Sequence, residues 1–477
     1  MKERVRGRWS TALAVVAVTM LALFLRWDFV VTAQVNNPFR GDALQYYSYA
    51  WNMLNHHVFS MAKPGSDIIL PDSFRQPGYP LLMAVWMWIT DDTDRLYAGV
   101  VLTQVVLGAL TAGMTVMVGR LWMPIGWSAC AGFLAAVWPH NVAISAYLLS
   151  EPLYGFFLML AMLLYGAMLR RSNLVLAVAA GSAFGFAFLV NPMLLPLCIV
   201  LASLASWQKD APKKLLATFI LAVLAFPAAW GLRNAATPPT SAGTSTDRAL
   251  LNLEQGSWPA YHSAWRMANG SEPDSARDLS AESRDVRMNA GRTTMALMGH
   301  EEQLMNRSPR EGLSAMATRF ADLPWVYAKW YLVEKPMLLW SWGIRIGQGD
   351  VYINPTRNSP LETMPLRVLT AICHGLNPVG GIAAFLSAFL LIVVKHQQIV
   401  VISGLIQSSL AMARAVAWLF MLVTLAHTVL QSEPRYAIPY RPFEFLLAVT
   451  LIAALVRVCL WRRSSRLPGV GGPHGYS

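Results

Sequence analysis

The chain has 477 residues, 55% of them hydrophobic and only 13% charged, and apolar runs of bilayer-spanning length, about 20 residues each, recur from end to end. That composition excludes a soluble globular or disordered chain and defines an all-α polytopic membrane protein. The net charge of +12 sits largely in short Lys/Arg patches beside apolar runs, where a topology signal belongs, so nucleic acid is not an indicated partner.

The basic stretch from Lys2 to Arg8 followed by the apolar run 11–25 reads as an uncleaved signal anchor with a cytoplasmic N-terminus. The first span then leaves the membrane near Trp27, and residues 28–95 form a first external loop. Inside it a helix is expected to begin near Gly41. Asp42, Tyr46, Tyr49 and Met53 share one stripe of that helix, and Gln45, Ser48, Asn52 and Asn55 form a polar face, the pattern of a helix lying at the membrane interface. Further on, Phe74-Arg75-Gln76-Pro77-Gly78-Tyr79-Pro80 sets a cation before a rigid turn. The run 79–89 is short for a span and has acidic residues behind it, so it reads as re-entrant or interfacial.

Runs at 96–118, 127–146, 152–169, 174–189, 193–205 and 215–231 alternate across the membrane, with Arg120, Arg170-Arg171 and Lys209, Lys213 and Lys214 at the cytoplasmic turns. They complete an N-terminal transmembrane module, 1–231. Residues 232–365 turn polar after the linker 237–241 and are expected to form one large external, mainly helical domain, with amphipathic helices over 280–319. The C-terminal module, 366–461, holds runs at 379–394, 415–430 and 439–456, and the Gly-rich tail 462–477 reads as disordered and cytoplasmic. The count is about ten spans. Weaker runs at 79–89, 366–376 and 399–411 raise the upper bound to thirteen.

This topology uses only the Lys and Arg residues at cytoplasmic turns, yet it gathers Asp42, Arg75, Glu151, Arg233, Lys335, Glu433 and Arg435 on the external face. Ionisable groups at a membrane boundary are costly and are functional or paired. All but Arg233 have an alternative structural role. Asp42 and Glu151, the latter between Ser150 and Pro152, suit helix starts by their charge. Arg75 and Lys335 suit snorkelling from helix ends, and Glu433 and Arg435 suit a local ion pair. Functionally, the carboxylates suit acid/base work and the cations suit a phosphate. The four cysteines have no CxxC spacing and the histidines no ligand spacing. A divalent metal held by oxygen ligands needs no such signature and stays open. Gly113, Gly119 and Gly126 suit helix packing. A transporter or flippase for a lipid-linked or anionic substrate is the alternative class, because the Asn191-Pro192 break resembles the broken helices of transporters.

In order along the chain, Gly41-Asp42 with Tyr46 and Ala50, Arg75 to Pro80, Ser150-Glu151-Pro152, Arg233-Asn234, Lys335, and Glu433-Pro434-Arg435-Tyr436 with Pro439 and Pro442 resemble the GT-C superfamily of membrane glycosyltransferases. The resembling branch holds the dolichyl-phosphate-mannose protein mannosyltransferases and the bacterial aminoarabinose transferases. The resemblance implies a GT-C-like helical bundle with juxtamembrane helices in the plasma (inner) membrane. It also implies inverting transfer of a sugar from a polyprenyl-phosphate donor to a lipid, glycan or protein acceptor on the external (periplasmic) face. Carried onto this chain, Asp42 and Glu151 are the expected catalytic carboxylates, and Arg75, Lys335 and Arg435 the donor-phosphate cations. Tyr46, Tyr79, Arg233, Asn234, Glu433 and Tyr436 are the expected substrate contacts.

Overall fold

The computed structural model describes residues 2–237, 243–268, 281–343, 358–394 and 410–464. The linker at 238–241, most of the weak run at 399–411 and the tail from 465 lie outside the described residues. Among the described residues the structure is helical, with no β-strand.

The N-terminal module runs through α1 (Lys2–Thr32), α2 (Asp42–Asn55), α3 (Gly78–Ile89), α4 (Thr93–Gly119), α5 (Ile125–Val137), α6 (Pro139–Ala143), α7 (Glu151–Arg171), α8 (Leu174–Val190), α9 (Leu195–Trp207) and α10 (Lys213–Ala235). After a polar middle segment come α17 (Leu366–Val393), α18 (Leu410–Val429), a 3₁₀ stretch over Pro434–Tyr440 and a last long helix, Arg441–Ser464. Seven helices are long and apolar enough to cross a membrane, and the bent α5/α6 pair makes an eighth. The shorter α8 and α9 fall at the remaining two runs expected from sequence. The expected short run at 79–89 is α3, which packs on α2 and α4.

Helix geometry follows from side chains. The α5/α6 pair bends by 56° because Pro139 cannot extend the α5 ladder and because Arg26 of α1 takes over its last carbonyls. The Arg26 guanidinium donates to the carbonyls of Ala136 at 3.0 Å and Ala135 at 3.2 Å, a cation placed at a helix C-terminus. A Cβ on Gly113 would overlap Thr19 of α1 and one on Gly119 would press on Leu446, whereas Gly126 faces open space. The first two therefore act as packing glycines and the third does not. The runs 366–376 and 379–394 are not separate. They form the single helix α17, continuous through Pro378. Beside that proline, Asn377 is held by the Trp340 carbonyl and by Arg441, which also pairs with the buried Glu444 at 2.7 Å.

The polar segment between α10 and α17 folds as α11 (Ser245–Ser257), α12 (Tyr261–Ala268), α13 (Ala281–Arg307), α14 (Pro309–Asp322), α15 (Pro324–Lys329), a π-helical turn over Trp330–Glu334 and α16 (Lys335–Leu339). Arg319 of α14 ties these together. It pairs with Glu301 at 3.0 Å, donates to Ser257 Oγ at 2.7 Å and the Tyr327 hydroxyl at 2.6 Å, and lies over the Trp258 ring. The amphipathic faces of 280–319 thus pack on α11 and α12.

The bundle has two unlike ends. At one, Arg170 donates to the Leu121 carbonyl, bringing the α7–α8 turn with Arg170 and Arg171 beside the α4–α5 turn with Arg120. The opposite end collects the starts of α2 and α7, the α8–α9 break and α11, and it holds a polar cavity.

Candidate active site

The first loop builds one wall. Gly41 adopts φ +56 immediately before α2, a left-handed turn that glycine takes without a Cβ clash, and it aims Asp42 out of the first turn of the helix. The polar face of α2 does not meet water as expected. Ser48 and Asn52 are buried, and Asn52 donates to the carbonyls of Ser60 and Ala62 at 2.9 and 2.7 Å. Asp72 organises the same loop by accepting from the Tyr49 hydroxyl and from the amides of Met61 and Phe74. Arg233 of α10 donates to the carbonyls of Asp72 at 2.6 Å and Phe59 at 3.3 Å. This scaffold sets the position of Arg75, whose amide meets the Tyr49 hydroxyl.

Four ionisable side chains from distant segments then converge. Arg75 donates to Asp42 Oδ1 at 2.5 Å and to Gln45 Oε1. Arg435 reaches the other oxygen, Asp42 Oδ2, at 2.9 Å and pairs through Nε with Glu151 at 3.2 Å. Both arginines and Glu151 are buried and Asp42 is half-buried. Burial pushes the Asp42 carboxyl up, but Arg75, Arg435 and Arg248 outweigh it and hold the group well below the usual carboxylate range. Burial works against the Arg75 charge in turn, and Asp42 overcomes it, so this guanidinium stays protonated.

These groups line a cavity of about 330 Å³ together with Tyr46, Tyr154, Tyr436 and Tyr440, the Asn191-Pro192 break, His427 and one face of α11. The Tyr46 hydroxyl meets Ser150 Oγ at 3.3 Å and its ring lies under Arg75. The cavity therefore offers an ionised carboxylate, a second carboxylate behind it, several cations and aromatic walls.

Of the residues expected from sequence, Asp42, Glu151, Arg75, Arg435, Tyr46 and Tyr436 come together here. The others lie behind the cavity. Tyr79 is buried, donates to Gln104 at 2.9 Å and packs edge-on against Tyr46. Arg233 and its neighbour Asn234, joined at 3.1 Å, brace the first loop. Glu433 accepts from Gln431 at 3.0 Å and approaches His262 of α12 at 3.8 Å. Burial takes the His262 imidazole down to about 4, so that contact is dipolar at neutral pH. Lys335 is fully buried and donates to the carbonyls of Gly256 at 2.9 Å and Val429 at 3.4 Å. Burial lowers its ammonium to about 7, and it joins the ends of α11 and α18 instead of facing the cavity. No group of three or more His, Cys, Asp or Glu side chains among the described residues is arranged to hold a metal ion.

Sequence reasoning missed Arg248, Asn252 and Gln255 of α11, and Gln76 and His427, all of which line the cavity. The α11 residues were detectable only as a stripe of polar side chains at helical spacing in a segment crowded with arginines.

The helical bundle with a polar cavity at one end is a fold that solved structures share. Among solved structures, the oligosaccharyltransferase of Archaeoglobus fulgidus tethered to an acceptor peptide containing the NVT sequon is similar over 96% of this chain and 51% of its own length, with a TM-score of 0.50 and 13% identity. The apo form of that enzyme gives a TM-score of 0.49 at 14% identity, over 98% of this chain and 53% of that one. ArnT from Cupriavidus metallidurans bound to undecaprenyl phosphate gives 0.35 at 13% identity, over 88% and 77%. This chain thus spans about half the length of the archaeal structures it resembles. No protein-family model and no curated protein sequence matches it.

Proposed function

We propose that this chain is a membrane glycosyltransferase that moves a hexosyl or pentosyl group from a polyprenyl-phosphate donor to a lipid, glycan or protein acceptor at the external face of the plasma membrane. The observation that carries this reading is the Asp42 carboxylate, held ionised between Arg75 and Arg435 in a polar cavity at one end of the helical bundle. A donor with a polyprenyl tail keeps that tail in the bilayer, so its phosphate and sugar meet the protein at this depth.

In the proposed reaction the acceptor hydroxyl gives its proton to Asp42 and its oxygen attacks the anomeric carbon from the face opposite the phosphate. The bond from that carbon to the phosphate oxygen breaks, and its electron pair leaves with the phosphate. One displacement inverts the anomeric configuration. Arg75 and Arg435 have two roles in it. Without donor they hold Asp42 ionised. With donor, phosphate oxygens compete for the same guanidiniums through paired hydrogen bonds, which loosens their grip on Asp42 and raises its proton affinity as the acceptor is bound. Cations beside the departing phosphate supply electrostatic stabilisation, and holding both substrates at one boundary supplies orientation. Glu151, behind Arg435, fixes that arginine and balances its charge.

The test is direct. Purified protein is incubated with a panel of radiolabelled polyprenyl-phosphate sugars and membrane extract as acceptor source. One donor is expected to lose its label to a new product of inverted configuration, and retention of label on every donor would remove the reading.

A further inference from the structure

Among the described residues, the charged groups lining the cavity are three guanidiniums, Arg75, Arg248 and Arg435, and two carboxylates, Asp42 and Glu151. Two of the cations are engaged: Arg75 by Asp42, and Arg435 by Asp42 and Glu151. Neither a side-chain hydrogen bond nor an ion pair to a described residue engages the guanidinium of Arg248. The cavity therefore carries one cation in excess, and that cation comes from the external segment.

Arg248 is built in. Its helix begins with a reciprocal cap between Thr244 and Asp247. The helix ends where the Gly256 carbonyl accepts from Trp330 Nε1 at 3.0 Å and from Lys335 Nζ at 2.9 Å. Ser245, Asn252 and Gln255 share its cavity-facing stripe at spacings of three and four. Inside a membrane-boundary cavity, charge left over after ligand binding is costly because water does not solvate it. A ligand with one negative charge neutralises this cavity, and one with two reverses its sign.

Building on the function proposed above, we propose that Arg248 is the donor-phosphate contact and that its unbalanced charge selects a lipid phosphodiester, with one negative charge, over a lipid diphosphodiester, with two. The neutral side chains of Asn252 and Gln255 then face the sugar, where amides pair with hydroxyl groups. Arg75 and Arg435 belong first to Asp42 and reach the phosphate only as the donor enters.

The experiment measures binding of two sugar-free probes, a short isoprenyl methyl phosphate and the matching isoprenyl methyl diphosphate, to full-length protein in detergent. The wild type is expected to bind the phosphate at least about tenfold more tightly than the diphosphate. Arg248→Gln should lose about ten- to a hundredfold in phosphate affinity, the range of a charge-assisted hydrogen bond, with Arg248→Lys in between. Asn252→Arg, which adds a second unbalanced cation one turn along, should move the preference to the diphosphate. Melting curves establish that each variant is folded. If Arg248→Gln fails to fold, Asn252→Arg decides, and an unchanged preference in it overturns the proposal. Phosphate binding unchanged in Arg248→Gln, or equal wild-type affinity for both probes, also overturns it while leaving the transferase reading intact. A wild type that binds neither probe defeats the lipid-phosphate reading itself.

Discussion

Asp42 has each carboxylate oxygen engaged by a different arginine, one from the first loop and one from the junction of the last two spans. A carboxyl held below its ordinary range in the folded protein adds stability that is present above the unfolded value, about 3.9, and is lost as pH falls below it. The melting temperature of the wild type should therefore exceed that of Asp42→Asn most above about pH 5, and the gap should narrow steadily as pH falls below about 4. A gap that widens in acid would contradict the ion pairs. Arg435 bridges Asp42 and Glu151 with different nitrogens, a geometry that a lysine ammonium cannot copy. Transfer by Arg435→Lys should accordingly fall at least about tenfold, the scale of one lost charge-assisted hydrogen bond. Glu433→Gln, on the far side toward His262, should stay close to wild type. Equal activity in the wild type and Arg435→Lys would reduce Arg435 to a generic charge. The acids and arginines at turns were legible because Pro, Gly and span boundaries mark them. Lys335 and Arg248 were not, since a Lys-Pro pair reads alike whether it faces a phosphate or two carbonyls, and an arginine on an amphipathic helix carries no local mark.

At the scale of elements, α11 decides the shape of the cavity, and its position depends on a close approach. A Cβ on Gly256 would overlap the Leu430 carbonyl at the end of α18. Gly256→Val should displace α11, lower the melting temperature and weaken binding of the phosphate probe together. Lys335→Met should act in the same direction through loss of the Gly256 and Val429 contacts. A Gly256→Val protein with wild-type melting and binding would show that α11 does not need this contact. The long spans were legible from hydropathy. The joining of 366–376 to 379–394 was not, because a proline normally ends a helix, and its tolerance at Pro378 rests on packing against the last helix and on Asn377 contacts made across the fold.

For the whole molecule, the two unlike ends of the bundle translate into a topology. Single cysteines placed at the exposed Thr244 and Asn358, in a background where Cys130 and Cys459 are replaced by serine, should react with an impermeant reagent in intact cells. Cysteines at the exposed Ser172 and Lys209 should react only after permeabilisation. Labelling of both sets from one side would break the link between the basic turns and the cytoplasm. The helical membrane fold was legible from the hydropathy pattern, whereas the packing of α13 and α14 on α11 depends on Arg319 contacts that no local pattern announces. The central claim is that Asp42 takes the acceptor's proton during transfer from a lipid-phosphate sugar. It is tested most directly by single-turnover transfer from the donor that the panel identifies, comparing wild type with Asp42→Asn at matched donor occupancy. The account predicts a rate loss of at least about a hundredfold with the protein folded and the donor bound, the scale expected when an acid/base group is removed. A folded, donor-loaded Asp42→Asn enzyme that keeps more than about a tenth of the wild-type rate, well inside that hundredfold, would contradict it.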